Sequence, residues 1–354
     1  MIYLYIIILM FLSWGLSFIS GRLPERYLNV ILGVFSFLMI IISATRPDTG
    51  VSDMVNYEDM FLNYDSLKYQ LSVEPTYLWL SRVIQSFGGG FRIILWVFAI
   101  IAIPVKMYAF KRMSSYEIFY AALPVYLSFF FLMHDCEQIR IAAAATFIMM
   151  AYVYRIEGRK WYVWIPLWIC AIFFHYSSAV GIVPLILYTS KRMTWKTRMA
   201  LGILVIMGVV IWVLKFNIFS IIPIPGLEVK MALYELSISK GDQLESILLY
   251  SPVALLRYIT FFYALCFYDL MRPHIKGLNI ILVSNAIGLF AWGGLSGIAV
   301  FAVRISEFFQ ITESILFAAV FLTIRPQWVG KLYPIVTGTF LLLYGMMINQ
   351  FGYI

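Results

Sequence analysis

Long apolar runs alternate with short polar segments along most of the chain. A helix needs about 20 mostly apolar residues to cross about 30 Å of hydrocarbon, and runs of this kind recur from Tyr3 to Asn349. The pattern predicts about twelve spanning helices, at residues 3–20, 27–44, 91–110, 116–134, 138–154, 161–174, 177–190, 199–216, 250–271, 278–298, 304–324 and 332–350. The predicted fold is an all-α, polytopic membrane helical bundle that forms one domain over residues 1–354.

Composition supports a membrane protein. Apolar residues make up 62% of the chain and charged residues 12%, whereas soluble globular domains are about half apolar and a quarter charged. This difference excludes a soluble fold. The three cysteines cannot form a disulfide framework and are expected to be packing residues. The three histidines are dispersed along the chain, so neither a metal nor a cofactor is expected.

The net charge of +8 follows from the distribution of Lys and Arg rather than from an acidic partner. Basic residues cluster in alternate short loops, and this positive-inside bias assigns those loops to the cytoplasm. The opposite loops contain most of the Asp and Glu and are expected to face the periplasm. The chain is therefore predicted to be a multi-pass protein of the bacterial inner membrane, with no nucleic-acid partner. The first apolar run lacks the features of a cleaved signal peptide and is predicted to be a retained helix.

Two of the predicted outer loops are long, at residues 45–90 and 217–249, whereas every inner loop is short. Within the first loop, Pro75–Phe87 is too short to span and is predicted to be an interfacial or re-entrant helix. Long ordered loops usually carry function. The functional face is therefore predicted to be the periplasmic one.

Polar residues in the first long loop match the groups that bind sugars. Asp, Asn and Tyr side chains can hydrogen-bond sugar hydroxyls, and aromatic faces are available for stacking. A solvated loop that caps helices is the alternative interpretation. The candidate sugar-binding residues are Arg46, Asp48, Asp53, Asn56, Tyr57 and Glu74.

Two further candidate groups lie at predicted outer helix ends. In His134–Arg140, the position of Arg140 beside Asp135 and Gln138 favours a site, although an arginine there could also extend to the interface. The segment His175-Tyr176-Ser177-Ser178 is a predicted tight turn. A histidine there could act as a general base, because imidazole titrates near working pH. Alternatively, the segment is only a turn in which a serine caps the next helix.

A fourth group lies on the predicted helix 304–324, where Arg304, Glu307, Gln310 and Glu313 or Ser314 recur at spacings of three or four. Such spacing favours a stripe on one side of the helix, and charges within a span nearly always face the bundle interior or a wet cavity. Together with Arg257, these residues predict a polar cavity that opens outward. A purely structural pair of Arg304 and Glu307 is the alternative.

Several arginines without a dense set of metal ligands are typical of a phosphate or diphosphate site. A guanidinium group binds phosphoryl oxygens bidentately and remains charged at any physiological pH. In a dry site it stabilises the charge that develops on a departing diphosphate. The carboxylates and a histidine would then serve a sugar hydroxyl.

These motifs together resemble the EpsG-like group of Wzy-type polysaccharide polymerases. The resemblance rests on Arg46-Pro47-Asp48-Thr49-Gly50, Asp53, Asn56-Tyr57, Glu74-Pro75, Gln138-Ile139-Arg140 and His175-Tyr176-Ser177-Ser178. By motif it covers about Arg46 to Pro184, and beyond that it rests on hydropathy. It implies a GT-C-like helical fold and metal-independent glycosyl transfer between undecaprenyl-diphosphate-linked oligosaccharides, which serve as donor and acceptor.

The resemblance also implies roles for single residues. Arg140 and Arg304 would hold and neutralise the diphosphate, with Arg46 or Arg257 assisting. His175 would be the base that takes the proton of the acceptor hydroxyl, with Asp48 or Asp135 in reserve. The remaining candidates for substrate binding are Asp53, Asn56, Tyr57, Glu74, Gln138 and Glu307. Membrane lipid is an expected partner, and the prediction allows for a chain-length regulator and a flippase.

Other functions also fit the sequence. A transferase that uses a polyprenyl-phosphate sugar would place an acidic residue early in the first long outer loop, as Asp48 and Asp53 are placed. A polysaccharide O-acetyltransferase is a further enzymatic alternative. A flippase or transporter of the lipid-linked oligosaccharide is the non-enzymatic one, but transporters tend to have paired halves with broken helices in matching positions, and neither feature is found.

Overall fold

A computed structural model describes residues 2–47, 52–218 and 251–348, and in these ranges the chain is helical and contains no strand. The first helices are α1 (Ile2–Ile19), α2 (Glu25–Ala44), α3 (Ser52–Leu62), α4 (Leu67–Ser72), α5 (Pro75–Ser86), α6 (Phe91–Met113), α7 (Tyr116–Val125), α8 (Ile139–Ile156) and α9 (Trp161–Phe174). The later helices are α10 (Ile182–Leu187), α11 (Trp195–Val213), α12 (Pro252–Cys266), α13 (Tyr268–Met271), α14 (Leu278–Gly294), α15 (Ala299–Gln310), α16 (Glu313–Ala319), α17 (Gln327–Gly330) and α18 (Leu332–Met347).

Local sequence explains where several of these helices begin. Ser115 and Thr194 are N-caps whose hydroxyl oxygens accept backbone hydrogen bonds at the starts of α7 and α11. Ser251 caps α12 in the same way, and Pro252 follows at the first helical position. Proline is tolerated there because its missing N–H would have no intrahelical partner.

Seven helices in the described ranges are long and apolar enough to cross a membrane, or eight if the helices on either side of Ile311 and Thr312 form one span. Four shorter apolar helices of 10–17 residues coincide with the remaining predicted segments. The all-helical, multi-pass architecture is therefore confirmed. The count of twelve spans and the GT-C-like arrangement are not confirmed.

Three predicted helices differ from the observed ones in continuity. The segment predicted as 250–271 is divided at Phe267 into α12 and α13. The segment predicted as 177–190 is a 3₁₀ helix, Tyr176–Gly181, followed by the short α10. Pro184 lies in the first turn of α10, where an N–H group is not required. The segment predicted as 304–324 begins earlier, at Ala299, and is interrupted between Gln310 and Glu313.

The described chain divides into two compact units. The first consists of Met1–Leu185, Asp269–Leu278 and Ser314–Ile354, and the second of Ile186–Tyr268 and Asn279–Glu313. At the centre of the first unit, α7 continues into a π-helix, Tyr126–Glu137, in which every residue from Tyr126 to Cys136 is buried. Helices α1 and α18 pack against α7, while α8 packs against α6 and α9.

The long outer loop predicted at 45–90 contains three helices, α3, α4 and α5. Helix α5 has 12 residues, which is too short to span, in agreement with the prediction for this segment. The buried apolar side chains of these helices form a cluster with the start of α6 and of α8, which includes Tyr57, Tyr77, Phe98 and Ile139. Hydrophobic burial therefore fixes this segment on the ends of the longer helices. In the other predicted outer loop, 217–249, residues 219–249 lie outside the described ranges.

In the second unit, α11 and α14 approach at glycines. A Cβ atom added to Gly293 would lie 2.5 Å from the carbonyl oxygen of Gly208. Only residues without a side chain permit this backbone separation. The side-chain amide of Asn279 donates to the carbonyls of Thr189 and Lys191 at 2.6 and 2.8 Å, and this anchors the start of α14.

Candidate functional site

The carboxylate of Glu74 lies between an arginine and a histidine in the first unit. Glu74 is the N-cap residue of α5, but its side chain makes no capping hydrogen bond. The carboxylate instead forms an ion pair with the guanidinium of Arg140 at the start of α8. Its other oxygen lies 2.8 Å from Nδ1 of His175, at the end of α9.

This arrangement brings together three residues that are far apart in the sequence. The backbone N–H of Tyr176 also donates to Glu74, at 3.3 Å. The side chains of Glu74, His175 and Arg140 are only 5%, 13% and 17% exposed. The cluster is therefore largely shielded from solvent, where charge-assisted hydrogen bonds are strong.

The pKa of Glu74 shows that its carboxylate is ionised. Burial by itself would raise this pKa, but the hydrogen bond from His175 and the positive charge of Arg140 outweigh burial and lower it to about 2. An ionised carboxylate only accepts hydrogen bonds, so it favours the neutral imidazole tautomer that carries its proton on Nδ1. In that tautomer Nε2 can accept a hydrogen bond.

Two tyrosines hold Arg140 from the other side. The guanidinium carbon lies 5.3 Å from the ring centre of Tyr57 and 6.0 Å from that of Tyr77, within the range of cation–π attraction. The Tyr77 hydroxyl donates to the backbone carbonyl of Tyr57 at 2.7 Å. Burial raises the pKa of Tyr57 to about 12, although Arg140 opposes that effect. The phenol is therefore neutral at physiological pH.

Several buried polar atoms in this region have no hydrogen-bond partner among the described residues. They are both ring nitrogens of His175, although Nδ1 lies 2.8 Å from the Glu74 carboxylate, together with Nε of Arg140, Oε1 of Gln138 and the hydroxyls of Ser177 and Ser178. Leaving a buried polar group unsatisfied typically costs about 1–3 kcal/mol. Donors and acceptors grouped in this way beside a charged cluster are expected where a polar ligand binds.

A family model described as the EpsG family matches residues 29–353. The chain belongs to the EpsG family. No curated protein and no solved structure that was compared with it gives a match.

In this EpsG-family protein, Asp135 is part of a different network from Arg140. The Asp135 side chain is fully buried, 2.5 Å from Nζ of Lys106 on α6, and accepts a hydrogen bond from the Tyr126 hydroxyl at 2.5 Å. The Ser43 hydroxyl donates to the Asp135 backbone carbonyl at 2.5 Å. This network joins α2, α6 and the π-helix. Asp135 is therefore held by an ion pair, and its predicted role toward substrate stays a prediction.

Other predicted residues of the first long loop differ in exposure. Arg46 is 2% exposed and donates to the Ser43 carbonyl. Asp53 is half-buried and Asn56 is exposed on α3, so both remain candidates for contact with a sugar. Asp48 lies outside the described residues.

The second unit contains the remaining predicted residues. Nε of Arg257 lies 3.1 Å from Oε2 of Glu313, and both side chains are buried. Glu307 is also buried, and its Oε2 atom has no partner among the described residues. Arg304 is exposed, whereas Glu307 and Gln310 are buried. The predicted polar stripe and the cavity that it would line stay a prediction.

Sequence reasoning missed Tyr77 and Lys106. Lys106 could have been found, because it is the only charged residue between Arg92 and Lys111 in the apolar run of α6, and a charge within a span is usually paired or functional. No sequence feature pointed to Tyr77, because its ring lies near Arg140 only in the folded protein, once α3 and α5 have packed. Within the described ranges, no group of three or more His, Cys, Asp or Glu side chains is arranged as a metal site.

Proposed function

We propose that this protein joins undecaprenyl-diphosphate-linked oligosaccharide repeat units into a surface polysaccharide, by glycosyl transfer on the periplasmic face of the bacterial inner membrane. Membership of the EpsG family associates the chain with polysaccharide polymerases. The observation that carries the proposal is the cluster at Glu74, in which a buried arginine and a histidine with a free nitrogen lie among unsatisfied polar atoms.

His175 is the proposed general base. Its Nδ1 is held by Glu74 at 2.8 Å, so Nε2 is free to accept the proton of an acceptor hydroxyl. The oxygen of that hydroxyl then forms a bond to the anomeric carbon of the donor. The bond between that carbon and the diphosphate oxygen breaks, and the diphosphate leaves with the electron pair.

Arg140 is the proposed diphosphate ligand. With His175 neutral, the charges of Arg140 and Glu74 cancel. When the histidine takes the proton, the cluster acquires one positive charge, in the same step in which the leaving diphosphate acquires negative charge. Preorganised charge of this kind stabilises a transition state more than the ground state, because it matches charge that is still developing.

Glu74 is a positioning residue in this scheme, because it acts through Arg140 and His175 and does not contact substrate. Its role resembles that of the carboxylate that orients histidine in hydrolase triads. The sugar-binding roles of Gln138, Ser177 and Ser178 follow from their unsatisfied polar atoms. Asp53 and Asn56 lie on the accessible part of α3 and are the proposed outer contacts.

The proposal is tested by incubating purified protein in detergent with the lipid-linked repeat units of its own host, in the presence of a chelator. The products are resolved on a gel. Wild type is expected to give a ladder, and Arg140→Ala and His175→Ala are expected to lose it while they remain folded. His274→Ala and Arg159→Ala are matched controls, because both side chains are exposed, and they are expected to retain the ladder.

Two results would contradict the proposal. One is a wild-type ladder that His175→Ala and Arg140→Ala retain at the level of the controls, because the site would then lie elsewhere. The other is the absence of a wild-type ladder together with transport of the lipid-linked sugar across the bilayer of reconstituted vesicles. That outcome would assign the protein to the flippases.

A further inference from the structure

A long apolar groove lies between α1 and α2 in the first unit. Its cavity has a volume of about 530 Å³. Tyr5, Ile8, Leu9 and Leu12 line it from α1. Leu38, Ile41 and Ile42 line it from α2, and Thr45 lines it directly after the end of α2. Both sets follow the spacing i, i+3, i+4, i+7, which places each set on one face of its helix.

The two facing stripes are therefore apolar but are separated by open space. The exposed members of the stripes, such as Ile8 and Leu12 at 46% and 54%, face this space or the surrounding bilayer. A groove with these walls fits a flexible hydrocarbon chain.

One end of the groove is formed by Thr45, Arg46 and Pro47. A guanidinium group has five N–H donors. For Arg46, the described residues supply one carbonyl, that of Ser43, and the sulfur of Met54 at 3.1 Å, which is a weak acceptor. Nε of Arg46 has no partner among them. A buried guanidinium with unsatisfied donors is expected to favour an anionic ligand.

A second guanidinium lies at the same end, because Arg92 donates to the Arg46 backbone carbonyl at 2.7 Å. This end of the groove is also connected to the candidate site. Met54, which contacts Arg46, and Tyr57, which contacts Arg140, lie one turn apart on α3. The apolar groove therefore ends at the buried guanidinium of Arg46, which contacts the same helix, α3, as Arg140 does.

We propose that this groove binds the polyprenyl chain of a polyprenyl diphosphate, with Arg46 at the phosphate nearer the lipid and Arg140, the diphosphate ligand of the proposed function, at the phosphate nearer the sugar. The inference rests on the proposed function, since it locates the carrier lipid of the same substrate. An apolar chain with an anionic head matches both features of the groove. An ordinary phospholipid acyl chain would match the walls but would not require the cation at one end.

The test uses the full chain in nanodiscs and a polyprenyl diphosphate that carries a photoreactive diazirine on its isoprenoid chain. A phospholipid with the same group in an acyl chain is the matched probe. Labelled residues are located by mass spectrometry. The polyprenyl probe is expected to label α1 and α2 at the groove, and unlabelled polyprenyl diphosphate should compete more strongly than phospholipid.

Two pairs of comparisons separate specific binding from lipid contact. Leu12→Trp fills the groove and should reduce labelling about tenfold, which corresponds to about 1.4 kcal/mol. Val34→Trp is the control, because Val34 is exposed on α2 and does not line the groove. Arg46→Gln should weaken competition by polyprenyl diphosphate about tenfold or more, since it removes charge-assisted hydrogen bonds, but should not affect competition by uncharged polyprenol.

The proposal is overturned if both probes label the groove equally, or if the polyprenyl probe labels Leu12→Trp as strongly as wild type. A protein that forms polymer without labelling at the groove would also overturn it, while the proposed function would stand. Conversely, specific labelling by a protein that forms no polymer would support the groove and count against the polymerase. The two proposals can therefore fail separately.

Discussion

Replacing Glu74 by glutamine tests whether this carboxylate organises the site. The substitution keeps the shape of the side chain but removes its charge, which leaves Arg140 and His175 with a neutral acceptor. Because the Glu74 side chain is only 5% exposed, water cannot compensate for the lost charge. The folded state is therefore expected to lose stability as well as activity.

The magnitude of the expected stability loss follows from the pKa of Glu74, which is lowered from the ordinary value of 4.5 to about 2. At about 1.36 kcal/mol for each tenfold change in the acid constant, this difference contributes about 3 kcal/mol at neutral pH. Because the folded-state pKa lies below the unfolded one, the contribution is fully present above about pH 4.5 and is lost as the pH falls to about 2.

The assay measures the free energy of unfolding in mixed micelles of mild detergent and dodecyl sulfate. The free energy of unfolding of wild type is expected to exceed that of Glu74→Gln by about 3 kcal/mol at neutral pH. This difference should disappear as the pH approaches about 2. Glu58→Gln is the matched control, because Glu58 is exposed on α3. A Glu74→Gln protein as stable as that control, or one whose stability deficit did not change with pH, would refute this role of the carboxylate.

Two further substitutions test the packing with the same unfolding assay. Lys106→Met should cost about 3–5 kcal/mol by leaving Asp135 buried and unpaired, and the additional change Asp135→Leu should restore most of the loss. A double variant no more stable than the single one would argue against the ion pair. Gly293→Ala should cost about 1–3 kcal/mol, because its Cβ would meet the Gly208 carbonyl oxygen at 2.5 Å. Gly202→Ala, whose Cβ would meet a ring atom at 3.3 Å, should be nearly neutral, and equal losses in the two variants would contradict the close approach.

Much of the candidate site could be named from sequence, but its arrangement could not. Glu74, Arg140 and His175 were each recognised as polar residues at predicted outer helix ends, and the resemblance supplied roles for the last two. Their contact depends on α5, α8 and α9 meeting at one end. The carboxylate of Glu74 contacts the arginine and the histidine, and its predicted role in substrate binding stays a prediction.

The second unit shows another limit of prediction from residue spacing. The spacing of Arg304, Glu307 and Gln310 predicted a stripe on one side of the helix, and two of the three are buried. Arg304 is exposed, because steps of three residues drift around a helix. Such spacing therefore predicts a shared side only approximately.

By itself, the sequence determined that this protein is a helical membrane protein, because spans of apolar residues are required wherever backbone groups must be satisfied within hydrocarbon. It also determined which ionisable residues stand near helix ends, since charges are excluded from most of each span. The tertiary structure alone decided which of these residues meet. Contacts such as Glu74 with Arg140, or Lys106 with Asp135, join positions separated by 66 and 29 residues. Only the packing of helices determines which distant positions share a buried environment and therefore which charges are paired.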